Sequence, residues 1–287
     1  MKILSATYGG QPITELISSK ISGDKLLLKV SNDIIGDPQP GTLKYLQIQY
    51  EHNGEILNGS YKENTICSLP KSNTNKLGIF YSNNNNSTIY PTIEKSLETI
   101  KIASENKADI LTCVWNHIPN NPFSEIISWY QSQSHLNQLL QIMQCLYTAR
   151  EMGNYEYVSF LEHDVLYAEG YFDYPEFESG NIYTNMNFIG VNKEGWQPLG
   201  QRDEPFHQMT MKFDDAIKHC ERIIGNALIR NSGMIEPQDM NRKQWESSNP
   251  SVHVNHGHHF TSHYSIYKKA DSKENPYWGN FSEYILH

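Results

Sequence analysis

One change of pattern, centred on residues 70–76, constrains this chain more than any other feature. Before it, apolar residues come in short runs, each closed by a turn. After it, apolar strands alternate with stripes at helical spacing. The stretch from Pro70 to Lys76 is polar and has no period, as a linker should be. The chain therefore reads as two units, 1–70 and 77–287, joined by residues 71–76.

The first unit reads as all-β. Lys2 to Tyr8 is strand-like and ends at Gly9-Gly10, and Leu26 to Val30 is a second strand. Gly36-Asp37-Pro38 and Pro40-Gly41 are turn signals. Lys44 to Tyr50 alternates apolar and polar residues as a half-buried strand does. Asn53-Gly54 marks a tight hairpin, and another strand spans Thr65 to Leu69. Strands at this spacing predict a small sandwich. The set Asn32, Gly36-Asp37-Pro38, Pro40-Gly41, Lys44 and Leu46 to Tyr50 resembles a small β-module that recurs at the ends of unrelated proteins. That resemblance covers about a quarter of the chain and implies a binding or scaffolding accessory without catalytic residues.

The second unit alternates. Leu77 to Tyr81 is a strand followed by the polar loop Ser82 to Thr88. Ile93, Leu97 and Ile100 share a helix face. Asp109 to Trp115 is the next strand. Leu136, Leu139, Leu140, Met143, Leu146 and Tyr147 form a stripe that predicts a helix to about Met152. Strands are expected at Tyr155 to Leu161 and at Ile182 to Val191. A further helix is expected over Phe213 to Ile224. This order predicts an α/β fold, a mainly parallel sheet flanked by helices. Ligands of such sheets bind beyond the carboxyl ends of the strands. The 82–88 loop and the acids after Leu161 would share that edge.

Charge narrows the partners. Lys and Arg number 23 against 32 Asp and Glu, a net charge of −9, which argues against a non-specific nucleic-acid binder. Cys67, Cys113, Cys145 and Cys220 form no CxxC pair, and buried reduced thiols are expected. No signal-like apolar run opens the sequence and no stretch reaches the ~20 apolar residues of a membrane span. A soluble, cytoplasmic protein without membrane contact is expected.

Two segments look like parts of one metal site. Glu162-His163-Asp164 ends an apolar strand, so its two carboxylates lie at i and i+2 on one side of the pleat. His253, His256, His258, His259 and His263 cluster much later in the chain. Carboxylate oxygen plus imidazole suits Mn²⁺ or Mg²⁺ held with substrate phosphates, and also Zn²⁺ or Fe²⁺. There is no GxGxxG and no P-loop.

The acidic motif resembles the Asp-x-Asp signature of nucleotide-sugar glycosyltransferases of the GT-A fold, with Glu162 in place of the first Asp. His259 to Tyr264 is similar to a late histidine segment of some bacterial and viral glycosyltransferases, with Ser262 and His263 replacing Gly and Asn. The resemblance spans roughly residues 76–265. It implies a divalent-metal-dependent, hexosyltransferase-like enzyme using a nucleoside diphosphate sugar, UDP-sugars foremost. It implies Asp164, His259 and His256 as metal ligands, and Glu162 with Tyr81, Ser82 and Asn83 as donor-binding residues. The acceptor stays open among glycan, protein and modified nucleobase. For the catalytic base, Glu236 and Asp239 are the candidates. Asp214 and Asp215 instead open a helix, where capping suits them. Trp196 suits either a sugar face or the core. Two rivals stand beside this reading: a non-haem-iron or other His/carboxylate metal enzyme, and a non-enzymatic metal-binding module.

Overall fold

The computed structural model describes residues 1–22, 24–71, 74–132, 134–153, 155–192, 195–198, 206–230, 240–254 and 273–284. The first unit contains β1 (Lys2–Tyr8), β2 (Gln11–Pro12), α1 (Thr14–Ser18), β3 (Leu26–Lys29), β4 (Tyr45–His52), β5 (Glu55–Lys62) and β6 (Ile66–Leu69). The four strands β2-β1-β4-β5 make one antiparallel sheet, and β3-β6 a two-stranded one. Both contribute to a single apolar core that includes Tyr8, Ile17, Leu26, Leu46, Ile48 and Cys67. The helix α1 departs from the all-β expectation. Its Ile17 fills that core, a packing demand that a five-residue segment does not advertise.

The turn chemistry acts as expected. Asn53 and Gly54 both have positive φ, at 51° and 81°, and His52 pairs with Glu55 across them. That is the geometry a two-residue hairpin requires. The turn-rich motif of this unit is tied together by Lys44. Its side chain is 3 % exposed, and its Nζ lies 3.0 Å from Asp37, 3.4 Å from Glu63 and 3.0 Å from the Thr42 carbonyl. Lys25 pairs with Asp109 at 3.1 Å, and Leu27 packs on a core of the second unit.

The second unit holds β7 (Lys76–Ser82), α2 (Tyr90–Ser104), β8 (Asp109–Val114), β9 (Ser124–Ile127), α3 (His135–Met152), β10 (Tyr157–Glu162), β11 (Val165–Leu166), β12 (Asn181–Asn185), β13 (Phe188–Asn192), β14 (Gly195–Pro198), β15 (Met209–Lys212), α4 (Phe213–Arg230), β16 (Asn241–Trp245) and β17 (Ser251–Val254). A small hairpin, β18 (Glu274–Asn275) and β19 (Gly279–Asn280), follows. Among the described residues the main sheet has the order β16-β12-β15-β10-β7-β8-β9. Every neighbouring pair in it is parallel except those made by β15. A second sheet, β11-β17-β13-β14, stands beside it.

The period-2 pattern of the strands divides their side chains between two cores. Leu77, Ile79 and Tyr81 of β7, with Val158 and Phe160 of β10, face α3 and α4. Phe80 and Leu161 face α2 with Ile93, Leu97 and Ile100. Helices thus cover both faces of a mainly parallel α/β sheet. Gly78 is required by this packing, because a Cβ there would sit 2.5 Å from Ile110 Cδ1 and 2.8 Å from Leu161 Cδ1.

One expected strand is two. The apolar run Ile182 to Val191 breaks at Asn185, whose Oδ1 accepts from Asn187 N and Ser247 N, both at 3.1 Å. This local side-chain turn competes with the ladder. It sends β12 into the main sheet and β13 into the smaller one. All four cysteines are buried free thiols.

Candidate active site

Only Glu162 lies in the strand, as the last residue of β10; Asp164 follows in the turn between β10 and β11, so the pleat does not align the two carboxylates. Parallel pairing sets Glu162 beside Tyr81 at the end of β7. Period-2 alternation turns both side chains toward α3. The Tyr81 hydroxyl donates to Glu162 Oε1 at 2.6 Å, and Gln138 Nε2 in the first turn of α3 donates to the same oxygen at 2.9 Å. The other oxygen, Oε2, lies 3.1 Å from His207 Nδ1. Both oxygens of Glu162 are therefore engaged inside the protein. Burial alone would raise its carboxyl; the His207 contact and the Tyr81 hydroxyl outweigh burial and hold it below the ordinary glutamate range. Burial, then the neighbouring Glu162 carboxylate, pushes the Tyr81 phenol well up, so it stays a donor.

His207 comes from the residues just before β15. That strand runs antiparallel to β10, so its amino end reaches the same edge. Tyr167 braces the arrangement: its hydroxyl accepts from Glu162 N at 2.9 Å and donates to the His207 carbonyl at 3.2 Å. Ser96 Oγ on α2 donates to the Val165 carbonyl at 2.7 Å, fixing the turn that carries Asp164.

Asp164 is 6 % exposed. Val165 of β11 pairs with His253 of β17, and the Asp164 carbonyl accepts from Val254 N at 2.8 Å. The fold-back brings His253 Nε2 to 3.2 Å from Asp164 Oδ2. The His207 and His253 rings lie 5.3 Å apart, edge to face. Two carboxylate–imidazole pairs thus stand side by side in a largely buried setting.

The donor set suits a divalent cation in kind, mixing carboxylate oxygen and imidazole nitrogen. Among the described residues no three His, Cys, Asp or Glu side chains converge into a complete metal site. One buried atom points to further occupancy: His207 Nε2 has no hydrogen-bond partner among the described residues. With Nδ1 turned to a carboxylate, Nε2 is the ring's remaining hydrogen-bonding or ligand atom.

Of the other expected site residues, Tyr81 and Ser82 are buried at 2 % and 1 % exposure, and the Ser82 carbonyl accepts from Gln141. Tyr81 acts on Glu162 rather than at a surface. Asn83 is half-buried. Asn84 clamps the loop, with Oδ1 accepting from Trp115 N and Asn116 N at 2.9 and 3.0 Å. Trp196 is core: it packs with Trp278 and Tyr284, and its Nε1 donates to the Gly279 carbonyl at 3.0 Å. Asp215 accepts from Ser179 and from Gly180 N at 2.8 and 2.7 Å, tying α4 to the start of β12. Glu236, Asp239, His256, His258, His259 and His263 lie outside the described residues. His207 and Gln138 were not legible as site residues. The one available signal was that each sits at the head of an element meeting the carboxyl edge.

No family model matches the chain, and no curated protein sequence matches it. Among solved structures, a glycosyltransferase involved in the glycosylation of the major capsid of PBCV-1 is similar over 62% of this chain and 91% of its own, at 11% identity and a TM-score of 0.39. The galactosyltransferase LgtC in complex with donor and acceptor sugar analogs is similar over 58% of this chain and 72% of its own, at 9% identity and a TM-score of 0.35. Both fall below the similarity from which a shared fold follows.

Proposed function

We propose that this chain is a metal-assisted glycosyltransferase of the GT-A kind, moving a sugar from a nucleoside diphosphate sugar, UDP-sugars foremost, to an acceptor hydroxyl. Residues 1–70 would be an accessory module, joined by 71–76 to a transferase unit at 77–287. The observation that carries the reading is the contact of Asp164 with His253. It joins the acidic tip of β10 to the head of the histidine-rich segment, at the ligand-binding edge of a mainly parallel sheet.

Asp164 and His253 would help hold Mn²⁺ or Mg²⁺, with His256 and His259, which follow Val254 by two and five residues, as further ligands. The bound cation would supply Lewis-acid stabilisation of charge on the departing diphosphate. The chain's own residues orient the reactants. Glu162, saturated by Tyr81, Gln138 and His207, holds the His207 ring with Nε2 directed away from it. That nitrogen would meet a donor oxygen. Asn83, at the end of β7, would contact the nucleoside. Glu236 or Asp239 would take the acceptor proton.

Melting of the full chain with UDP-, GDP-, CDP- and dTDP-sugars, each with and without Mn²⁺, tests this. The expected result is stabilisation that needs both ligands, about 2.7 kcal/mol at a concentration 100 times Kd. Unchanged melting with every donor would contradict it.

A further inference from the structure

Trp129 is 82 % exposed and Tyr130 is 58 % exposed. They lie two and three residues beyond the carboxyl end of β9, on the same sheet edge as Glu162. The loop beneath them is firmly tied. Ser128 N donates to the Val114 carbonyl at 2.7 Å, and Ser128 Oγ to the Tyr130 carbonyl at 2.7 Å. Gln131 Nε2 donates to the Trp115 carbonyl at 2.9 Å, and Gln144 Nε2 to the Ile127 carbonyl at 3.2 Å. None of these ties uses either aromatic ring. A well-held backbone therefore displays two rings to water, which a lone chain gains nothing by doing. By contrast Trp115 and Trp196 are buried, at 5 % and 4 % exposure.

The surrounding chemistry selects the ligand. Charged residues make up 19% of the chain, yet no Asp, Glu, Lys or Arg occurs between Glu125 and Arg150. The residues after Tyr130 are Gln131, Ser132, Gln133 and Ser134, all amide or hydroxyl. That segment itself offers no lysine or arginine to a phosphate or carboxylate. A neutral pyranose presents a flat C–H face for an aromatic ring and a rim of hydroxyls for neutral amides. The edge strand β9 stands three strands from β10, about 14 Å at ordinary strand spacing. The next element, α3, sends Gln138 to Glu162.

We propose that Trp129 and Tyr130 form a stacking platform for a neutral sugar ring, the acceptor side of the site described above. The acceptor role rests on the transferase reading; the ring binding does not. Calorimetric titration of the full chain with lactose, cellobiose and maltose, with uridine, and with UDP-sugars plus Mn²⁺ separates the two. The variants are Trp129→Ala and Trp129→Phe, and the exposure of the side chain keeps the fold out of question. The expected result is saturable binding of a neutral disaccharide, weakened about tenfold or more by Trp129→Ala and largely kept by Trp129→Phe. Absence of disaccharide binding, equal binding by Trp129→Ala, or uridine as the ring lost on that substitution would overturn the platform. Disaccharide binding through Trp129 with no UDP-sugar binding would keep the platform and remove the transferase.

Discussion

Tyr81, Gln138 and His207 decide what Glu162 can do. Because all three engage one carboxylate, each should carry a measurable share of local stability. Tyr81→Phe removes one donor from Oε1 and leaves Gln138 in place. A loss of about 1 kcal/mol is expected in urea unfolding, together with weaker donor binding. Unchanged stability would mean that the Tyr81 contact contributes nothing. Glu156 provides a pH test away from the site. Its hydrogen bond to Lys212 holds its carboxyl below the ordinary glutamate range. The folded value is the depressed one, so the contribution is present above the ordinary range and disappears as pH falls through the folded value. Glu156→Gln should therefore cost stability at neutral pH, under about 1 kcal/mol for so exposed a pair. Melting curves of the variant and the wild type should merge in acid. A gap that widens in acid would reverse the sign.

At the scale of elements, periodicity made α3 readable: the stripe Leu136 to Tyr147 predicted it, and the helix runs His135–Met152. Leu146 is fully buried against the sheet, and Leu146→Ala should cost about 2–5 kcal/mol in denaturant unfolding. A change near zero would remove α3 from the main core. The strand β10 and its terminal acids were equally legible, since an uninterrupted apolar run ends there. Other elements left weaker traces. The strand β5 is an edge strand with an exposed polar face, and β16 reads Asn-Arg-Lys-Gln-Trp. β5 sends only Leu57 and Tyr61 to a core, and β16 only Trp245, so neither carries an apolar run. The break between β12 and β13 depends on Asn185 finding Ser247 across the fold, a contact no local window contains.

At the scale of the molecule, the arrangement around Glu162 and Asp164 was only half readable. The position of Asp164 just past the carboxyl end of β10 was legible because that strand was. The position of His207 was not, because an isolated histidine after a polar stretch of sequence carries no period; antiparallel β15 delivers it to the edge. His253 is not among the ligands the resemblance implies, yet β11–β17 pairing sets it against Asp164. Among the described residues no helix is long and apolar enough to cross a membrane. The proposed transferase activity rests on the contact of Asp164 with His253. Electron paramagnetic resonance titration of Mn²⁺ in the presence of UDP measures that junction directly. The wild type should take up Mn²⁺ with UDP present, and Asp164→Ala should abolish the uptake while the chain stays folded. Equal uptake by Asp164→Ala, or none by the wild type, would contradict the account.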